Sequence, residues 1–272
     1  MRLNRVEESA PLGTEFHFYP IGDVHRGSLS CDIGNFRRTV KTIAEDEYAR
    51  WLGMGDLVES IAPDDKRWSP KGVEQAAKDQ QEAISDWYVE ALCEMLAPIM
   101  DKCWGIADGN HEDKFNARYF TNINKRVLHE FGRDDLYGEW ACATNVRFED
   151  ENNHRCSLKV YQQHGWQAGR KDGAKVNSLE DLTGHIVGCD IYLVAHSHSR
   201  FIHPYTKLRF NRAWTDEEEY RCYGAHTGCF LKTYEKNVAG YGEKKGYPPV
   251  SIGTVKFNIR TTEKGVDIEG VI

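Results

Sequence analysis

Residues 16–25, FHFYPIGDVH, decide how the rest of the chain is read. Phe16 to Ile21 reads as a strand that breaks into the polar cluster GDVH, and Phe36, Val40, Ile43 and Ala44 then recur at the spacing of one helix face. The same order returns twice. Trp51 to Met54 runs into GDLVES, and a long helix is expected over about 73–100 with Ile84, Trp87, Tyr88, Ala91, Met95 and Ile99 on its buried side. Cys103 to Ala107 runs into DGNHED, with a further helical stretch through Leu128. Strand, polar loop and helix in repetition specify parallel βαβ units, which collect functional groups at the carboxyl ends of the strands.

The second half is richer in strands. Trp140 to Phe148 and Cys156 to Gln163 alternate as a hairpin around the solvated EDENNH turn, and the second arm ends in QHG. A helix over about 176–187 leads to the strand Asp190 to Ala195, which ends in HSHS. Strand-like pieces continue to a hairpin around Glu263, Lys264 and Gly265. No internal repeat, low-complexity tract or Pro/Ser-rich linker interrupts the chain. The expectation is one α/β domain over residues 1–272, a two-sheet β-sandwich flanked by helices, with the strands beyond about residue 199 completing the second sheet.

Composition narrows the function classes. Among 272 residues, 35 Lys and Arg face 42 Asp and Glu, a net charge of −7. That balance argues against a protein that coats nucleic acid or an anionic membrane, yet it is compatible with a nuclease that handles its substrate through metals. No apolar run approaches the ~20 residues of a membrane span, and MRLNRVEESAPLGTEF lacks the apolar core of a signal peptide, so a cytoplasmic chain without a membrane partner is expected. Of the eight cysteines, at 31, 93, 103, 142, 156, 189, 222 and 229, no two have the spacing of a structural zinc site. Reduced thiols packed as small hydrophobes are the simpler reading.

Five strand ends carry metal-binding side chains: Asp23 and His25 in GDVH, Asp56 in GDL, Asn110 and His111 in GNHE, His164 in QHG, and His196 and His198 in AHSH. Each alone reads as a turn residue or helix cap; five on one rim read as a site. Carboxylate, imidazole and one carboxamide together suit borderline divalent ions such as Mn²⁺, Fe²⁺, Zn²⁺ or Ni²⁺, whereas Ca²⁺ and Mg²⁺ prefer oxygen alone. His17 and His185 read as packed or surface residues, and His129, His154, His203 and His226 have no spacing that recruits them.

As a set, these motifs resemble the calcineurin-like binuclear metallophosphoesterase superfamily, whose order is D-x-H, G-D, G-N-H-[DE], a lone His and G-H-x-H. This chain has GDVH at 22–25, GD at 55–56, GNHE at 109–112, His164 before Gly165, and AHSH at 195–198. It departs in Ala195 for the usual Gly and in a long gap between Asp56 and Asn110, which implies an insertion around SIAPDDKRWSPKG. The resemblance implies two transition-metal ions, Mn²⁺ foremost, one held by Asp23, His25, Asp56 and His198 and the other by Asp56, Asn110, His164 and His196. Asp56 would bridge them. His111 would be catalytic, protonating the leaving oxygen or hydrogen-bonding the phosphoryl group, with a near-neutral pKa suited to the task. Glu59, where several members place a carboxylate that orients this His, would support it.

Two segments could read a substrate. WQAGRKDGAK (166–175) follows a metal ligand and supplies Arg170, Lys171 and Lys175; TYEKNVAGYGEKKGYPP (233–249) interleaves Tyr234, Tyr241 and Tyr247 with Lys236, Lys244 and Lys245. Basic groups contact phosphates and aromatic faces stack on bases, a mixture that suits a nucleotide or a DNA or RNA strand, although such a loop is also common solvent-facing sequence. The acidic run at 216–219 reads as solvated. The expected activity is a metal-dependent phosphodiesterase or nuclease. The alternatives are a phosphomonoesterase for a small metabolite or phosphoprotein and a binding module that has lost catalysis. Ser60 stands where protein phosphatases of this kind place a phosphate-gripping Arg, and no ligand position is missing, which disfavours the protein phosphatase and the inert module respectively.

Overall fold

The computed structural model describes residues 1–60, 72–80, 83–165, 171–211, 213–236, 238 and 241–272. Its elements run β1 (Arg2–Ser9), β2 (Glu15–Ile21), α1 (Ile33–Glu45), β3 (Ala49–Gly53), α2 (Gln75–Asp79), α3 (Ile84–Leu96), β4 (Cys103–Ile106), α4 (Asn110–Tyr119), α5 (Ile123–Glu130), β5 (Ala141–Glu149), β6 (Arg155–Gln163), α6 (Asp172–His185), β7 (Ile191–Val194), β8 (Arg200–Phe210), β9 (Glu217–Cys229), α7 (Tyr241–Lys244), β10 (Gly253–Thr254), β11 (Lys256–Thr262) and β12 (Gly265–Val271). Two sheets result: one ordered β12-β11-β2-β3-β4, the other β1-β5-β6-β7-β9-β10 with β8 on β9.

β2, β3 and β4 are parallel, as the strand, loop and helix rhythm requires. Alternation along β2 sends Phe16 and Phe18 toward the other sheet, where they join Leu52, Trp104, Val146, Phe148, Leu158, Val160, Ile191 and Leu193 in the layer between the sheets. The outer face of the β2-β3-β4 sheet is covered by α1, α3 and α5 through Phe36, Val40, Ile43, Tyr88, Leu92, Val127 and Leu128. On the far side, Leu182 of α6 and Ile186 just after it pack over Tyr161, Tyr192 and Cys222. Each fully buried side chain of this size contributes about 1.5–3 kcal/mol over leaving it exposed. The layers are therefore helix, sheet, sheet, helix. All eight cysteines are free thiols, and no helix among the described residues is long and apolar enough to cross a membrane.

Three features differ from the sequence reading. The long helix expected over 73–100 is divided: only Ile84–Leu96 forms a sustained helix, with Tyr88, Val89, Leu92 and Leu96 buried. The preceding stretch has no apolar stripe to bury, and Pro98, lacking an N–H, starts the tighter 3₁₀ turn Ala97–Lys102. β1 is absent from the sequence reading; it is an edge strand with Leu3 exposed, held by parallel pairing to β5 and by Val6 packed on the core. The strands beyond residue 199 do not complete a single sheet. β8, β9 and β10 extend the β5-β6-β7 sheet, and β11 and β12 cross to the other, where Phe257 and Ile259 pair with Phe18 and Phe16.

Candidate metal centre

The loops that follow β2, β3, β4, β6 and β7 converge on one rim. The loops after β2 and β3 are zipped together by backbone bonds, Asp23 N–H to the Gly55 carbonyl at 3.0 Å and His25 N–H to the Asp56 carbonyl at 3.0 Å. Asp23, His25, Asp56, His196 and His198 all have positive φ, between 49° and 62°. Non-glycine residues take that conformation at a cost and keep it where the surroundings hold them, as at functional sites. Two glycines permit the close approach: a Cβ at Gly109 would lie 2.2 Å from Oδ1 of Asp56, and one at Gly55, whose φ is +85°, would lie 2.3 Å from the Gly109 nitrogen.

Each carboxylate is fixed by one oxygen and offers the other. Asp23 Oδ2 accepts the His196 N–H at 2.9 Å, leaving Oδ1 3.3 Å from His198 Nε2 and 3.8 Å from His25 Nε2. Asp56 Oδ1 accepts the His111 N–H at 2.8 Å, leaving Oδ2 3.2 Å from His164 Nε2 and 3.9 Å from His111 Nε2. Asn110 Oδ1 lies 3.2 Å from His164 Nε2. Three groups of donor atoms, each within 4.8 Å of one another, could hold a metal ion: Asp23, His25 and His198; His25, Asp56 and His111; Asp56, His164 and His196. The seven residues expected as ligands are thus brought together, and His111 joins them.

The imidazoles are oriented from behind, as metal-binding histidines usually are. His25 Nδ1 bonds Glu59 Oε2 at 2.9 Å, His164 Nδ1 bonds the Met54 carbonyl at 2.9 Å, and His111 Nδ1 donates to the Glu59 carbonyl. His198 faces Asp23, with Nε2 3.3 Å from Oδ1. In His25, His164 and His111 this leaves Nε2 for the cluster. Oδ1 of Asp23 and Nε2 of His25 are buried with no hydrogen-bond partner. Two such atoms facing each other are costly unless something binds between them, so the residues fit a cation.

Electrostatics supports the same reading. Burial opposes the charged forms, but His198 and His25 hold Asp23 well below the usual carboxylate range, and His164 and His111 do the same for Asp56. Against burial, Asp23 and Glu59 push His25 up to about 10, and Asp56 pushes His164 up to about 9. His196 is pushed down to about 4 by burial and by its neighbour His164. Burial also pushes His111 down.

Two expected roles change. The Glu59 carboxylate does not orient His111; it serves His25, and only the Glu59 main-chain carbonyl reaches His111. Lys175 is not a cation on the approach to the site: it is buried on α6, where its ammonium is taken up by Asp172 and Ser199. α6 lays that face on the sheet, so the side chain turns inward. Lys171 is exposed at the start of α6, and Arg170 lies outside the described residues. In the 233–249 segment, of which 237, 239 and 240 lie outside the described residues, the Tyr234 hydroxyl donates to the Tyr247 carbonyl and links its two arms. The implied insertion falls mostly on 61–71, also outside the described residues.

The sequence reading passed over two buried groups. Glu112 is fully buried and accepts four backbone N–H groups, from Asp56, Leu57, Val58 and Gly109, at 2.7–3.3 Å. It therefore fixes the loop that presents Asp56, and burial together with Asp56 and Asp108 pushes it up to about 7. Its signal was its place three residues into a helix that begins after Gly109, the position from which a Glu caps its own N-terminus. His226 is buried on β9, and its Nδ1 lies 2.7 Å from Ser197 Oγ, between two expected ligands. No spacing signalled it. Comparison of the chain with protein-family models and with curated proteins finds no match.

Proposed function

We propose that this chain is a metal-dependent phosphoesterase with the calcineurin-like metallophosphoesterase fold, hydrolysing phosphodiester bonds in a nucleotide or nucleic acid. The observation that carries the reading is the convergence of Asp23 Oδ1, Asp56 Oδ2, Asn110 Oδ1 and Nε2 of His25, His164 and His198 at one rim, with His25 and His164 oriented from behind. Asp23, His25, Asp56 and His198 would hold one ion and Asp56, Asn110, His164 and His196 the other. A bound pair of such ions supplies positive charge for the phosphoryl oxygens and acidifies water to a nucleophile at neutral pH.

The chain's own residues set the rest. Asp56 keeps its geometry through His111 N–H and through the Glu112 grip on its loop. His111 spends the Nδ1 proton on the Glu59 carbonyl, so in the neutral ring the lone pair is on Nε2, on the side of the ring that faces Asp56 Oδ2. Burial favours that neutral form. The ring therefore gives a proton to the leaving oxygen only after taking one up, and otherwise acts as an acceptor that orients the nucleophile or substrate.

With Lys175 turned inward, fewer cations are left for a polymer than the three proposed, which favours a short phosphodiester over a long duplex and keeps the phosphomonoesterase reading as the second. The test is metal analysis followed by a substrate panel: bis(p-nitrophenyl) phosphate, p-nitrophenyl phosphate, cyclic nucleotides, and single- and double-stranded DNA and RNA. Diester turnover that needs Mn²⁺ or a similar ion and is lost in Asp56→Asn is expected. Full turnover by the chelated protein, or by that variant, would overturn the metal mechanism; a monoester preference would overturn the diester assignment.

A further inference from the structure

We infer that His226 and Ser197 are a positioning pair that sets the shape of the loop carrying His196 and His198; the inference rests on the metal-site reading above. His196 and His198 both sit in the left-handed region, φ 62° and 55°, on either side of Ser197. Two strained residues one position apart hold their conformation only when the surroundings grip the loop. Besides the His196 N–H to Asp23 Oδ2 bond at 2.9 Å, the grip comes from β9 and α6.

From β9, where His226 pairs in register with Val194 of β7 and Phe201 of β8, the ring reaches Ser197 Oγ at 2.7 Å. Ser197 Oγ also accepts the Ser199 N–H at 3.3 Å and keeps its own proton to give to His226 Nδ1 when that nitrogen is unprotonated. An unprotonated Nδ1 requires a neutral ring, and burial pushes His226 down to about 4. From α6, the Lys175 ammonium takes Ser199 Oγ, and the Ser199 carbonyl accepts the Gly228 N–H at 2.8 Å from the strand that carries His226. The loop is thus tied at Ser197 and Ser199, and each tie lies next to a candidate ligand. Among the described residues, the hydrogen bond of His226 goes to Ser197 and not to an expected ligand. It acts through Ser197.

The experiment uses the full chain and Co²⁺ as the probe, read by calorimetric titration and by the visible d–d absorption of the bound ion, which reports donor geometry. Apo-protein melting serves as the control. His226→Leu fills the buried site but cannot accept from Ser197; His226→Asn keeps an acceptor. Ser197→Ala removes the hydroxyl, and Ser197→Thr keeps it. In His226→Leu and Ser197→Ala we expect near wild-type apo melting, Co²⁺ binding weakened about 10–100-fold, the scale for losing a partner that orients a ligand, and a changed d–d band. His226→Asn and Ser197→Thr should restore both. Wild-type affinity and spectrum in His226→Leu or Ser197→Ala would overturn the inference, as would a lower melting temperature without spectral change. If the wild-type chain itself binds no Co²⁺, the metal-site reading fails first and this inference falls with it, a result distinct from unchanged variants of a protein that binds.

Discussion

The Nδ1 of His25 and the carboxylate of Glu59 meet at 2.9 Å, across 34 residues of sequence, and this bond aims His25 Nε2 at Asp23. The same residue holds His111 by its main-chain carbonyl, so its two functions can be separated by substitution. Glu59→Ala is expected to weaken metal binding about 10–100-fold while leaving kcat at saturating metal close to wild type, because the carbonyl survives. Metal titration paired with saturating-metal kinetics checks this. A large kcat loss with unchanged metal affinity would mean that the carboxylate acts on His111 after all.

His111 meets Asp56 in two places, its backbone N–H on Oδ1 at 2.8 Å and its Nε2 3.9 Å from Oδ2. His111→Ala should retain the bound metal and lower the rate by about two to four powers of ten, the scale for a positioned acid or base. The loss should be smallest for substrates whose leaving group needs no proton. Metal content measured beside activity decides the assignment: a fall in both makes His111 a ligand.

Glu112 satisfies four buried N–H groups at once. Leaving buried donors unpaired costs roughly 1–3 kcal/mol each before relaxation, so Glu112→Ala should lose at least about 3 kcal/mol of stability and release the Asp56 loop. Urea unfolding with and without metal reads the first effect and metal stoichiometry the second. Wild-type stability in that variant would show that the loop is fixed by other contacts.

Metal binding should release protons. Without metal, His25 and His164 titrate near 10 and 9, raised from 6.5 by Asp23, Glu59 and Asp56 against the effect of burial, so at neutral pH both rings hold a proton that a metal must displace. Apparent metal affinity should therefore rise with pH up to about 9–10. The sign for the apo-protein is opposite: the stability contributed by these raised groups is complete below pH 6.5 and is lost as pH climbs through 9 to 10. Calorimetry in buffers of different ionisation enthalpy counts the protons, and apo melting against pH checks the second slope. Proton uptake on binding would contradict both.

The sequence alone determined which residues arrive at the rim. Asp23, His25, Asp56, Asn110, His164, His196 and His198 each follow a short apolar run by a few residues, and a strand that ends in a tight polar loop delivers its side chains to one side whatever lies elsewhere. The sheets were legible for the same reason, since alternation in FHFYPI already states which residues face inward. Other features depended on where distant surfaces met. β1 needed a neighbour's backbone and distant partners for Val6 and Glu8, the 73–100 helix lacked an apolar stripe before Ile84, and the last strands divided because Phe257 and Ile259 found β2. Partners within the site were decided the same way. Glu59 turned its carboxylate to His25, Lys175 pointed into the interior, and His226 reached Ser197 from another strand. A motif is set by local backbone geometry, whereas a side chain's partner is set by strand register and by the packing face of its helix, which exist only once the chain has folded.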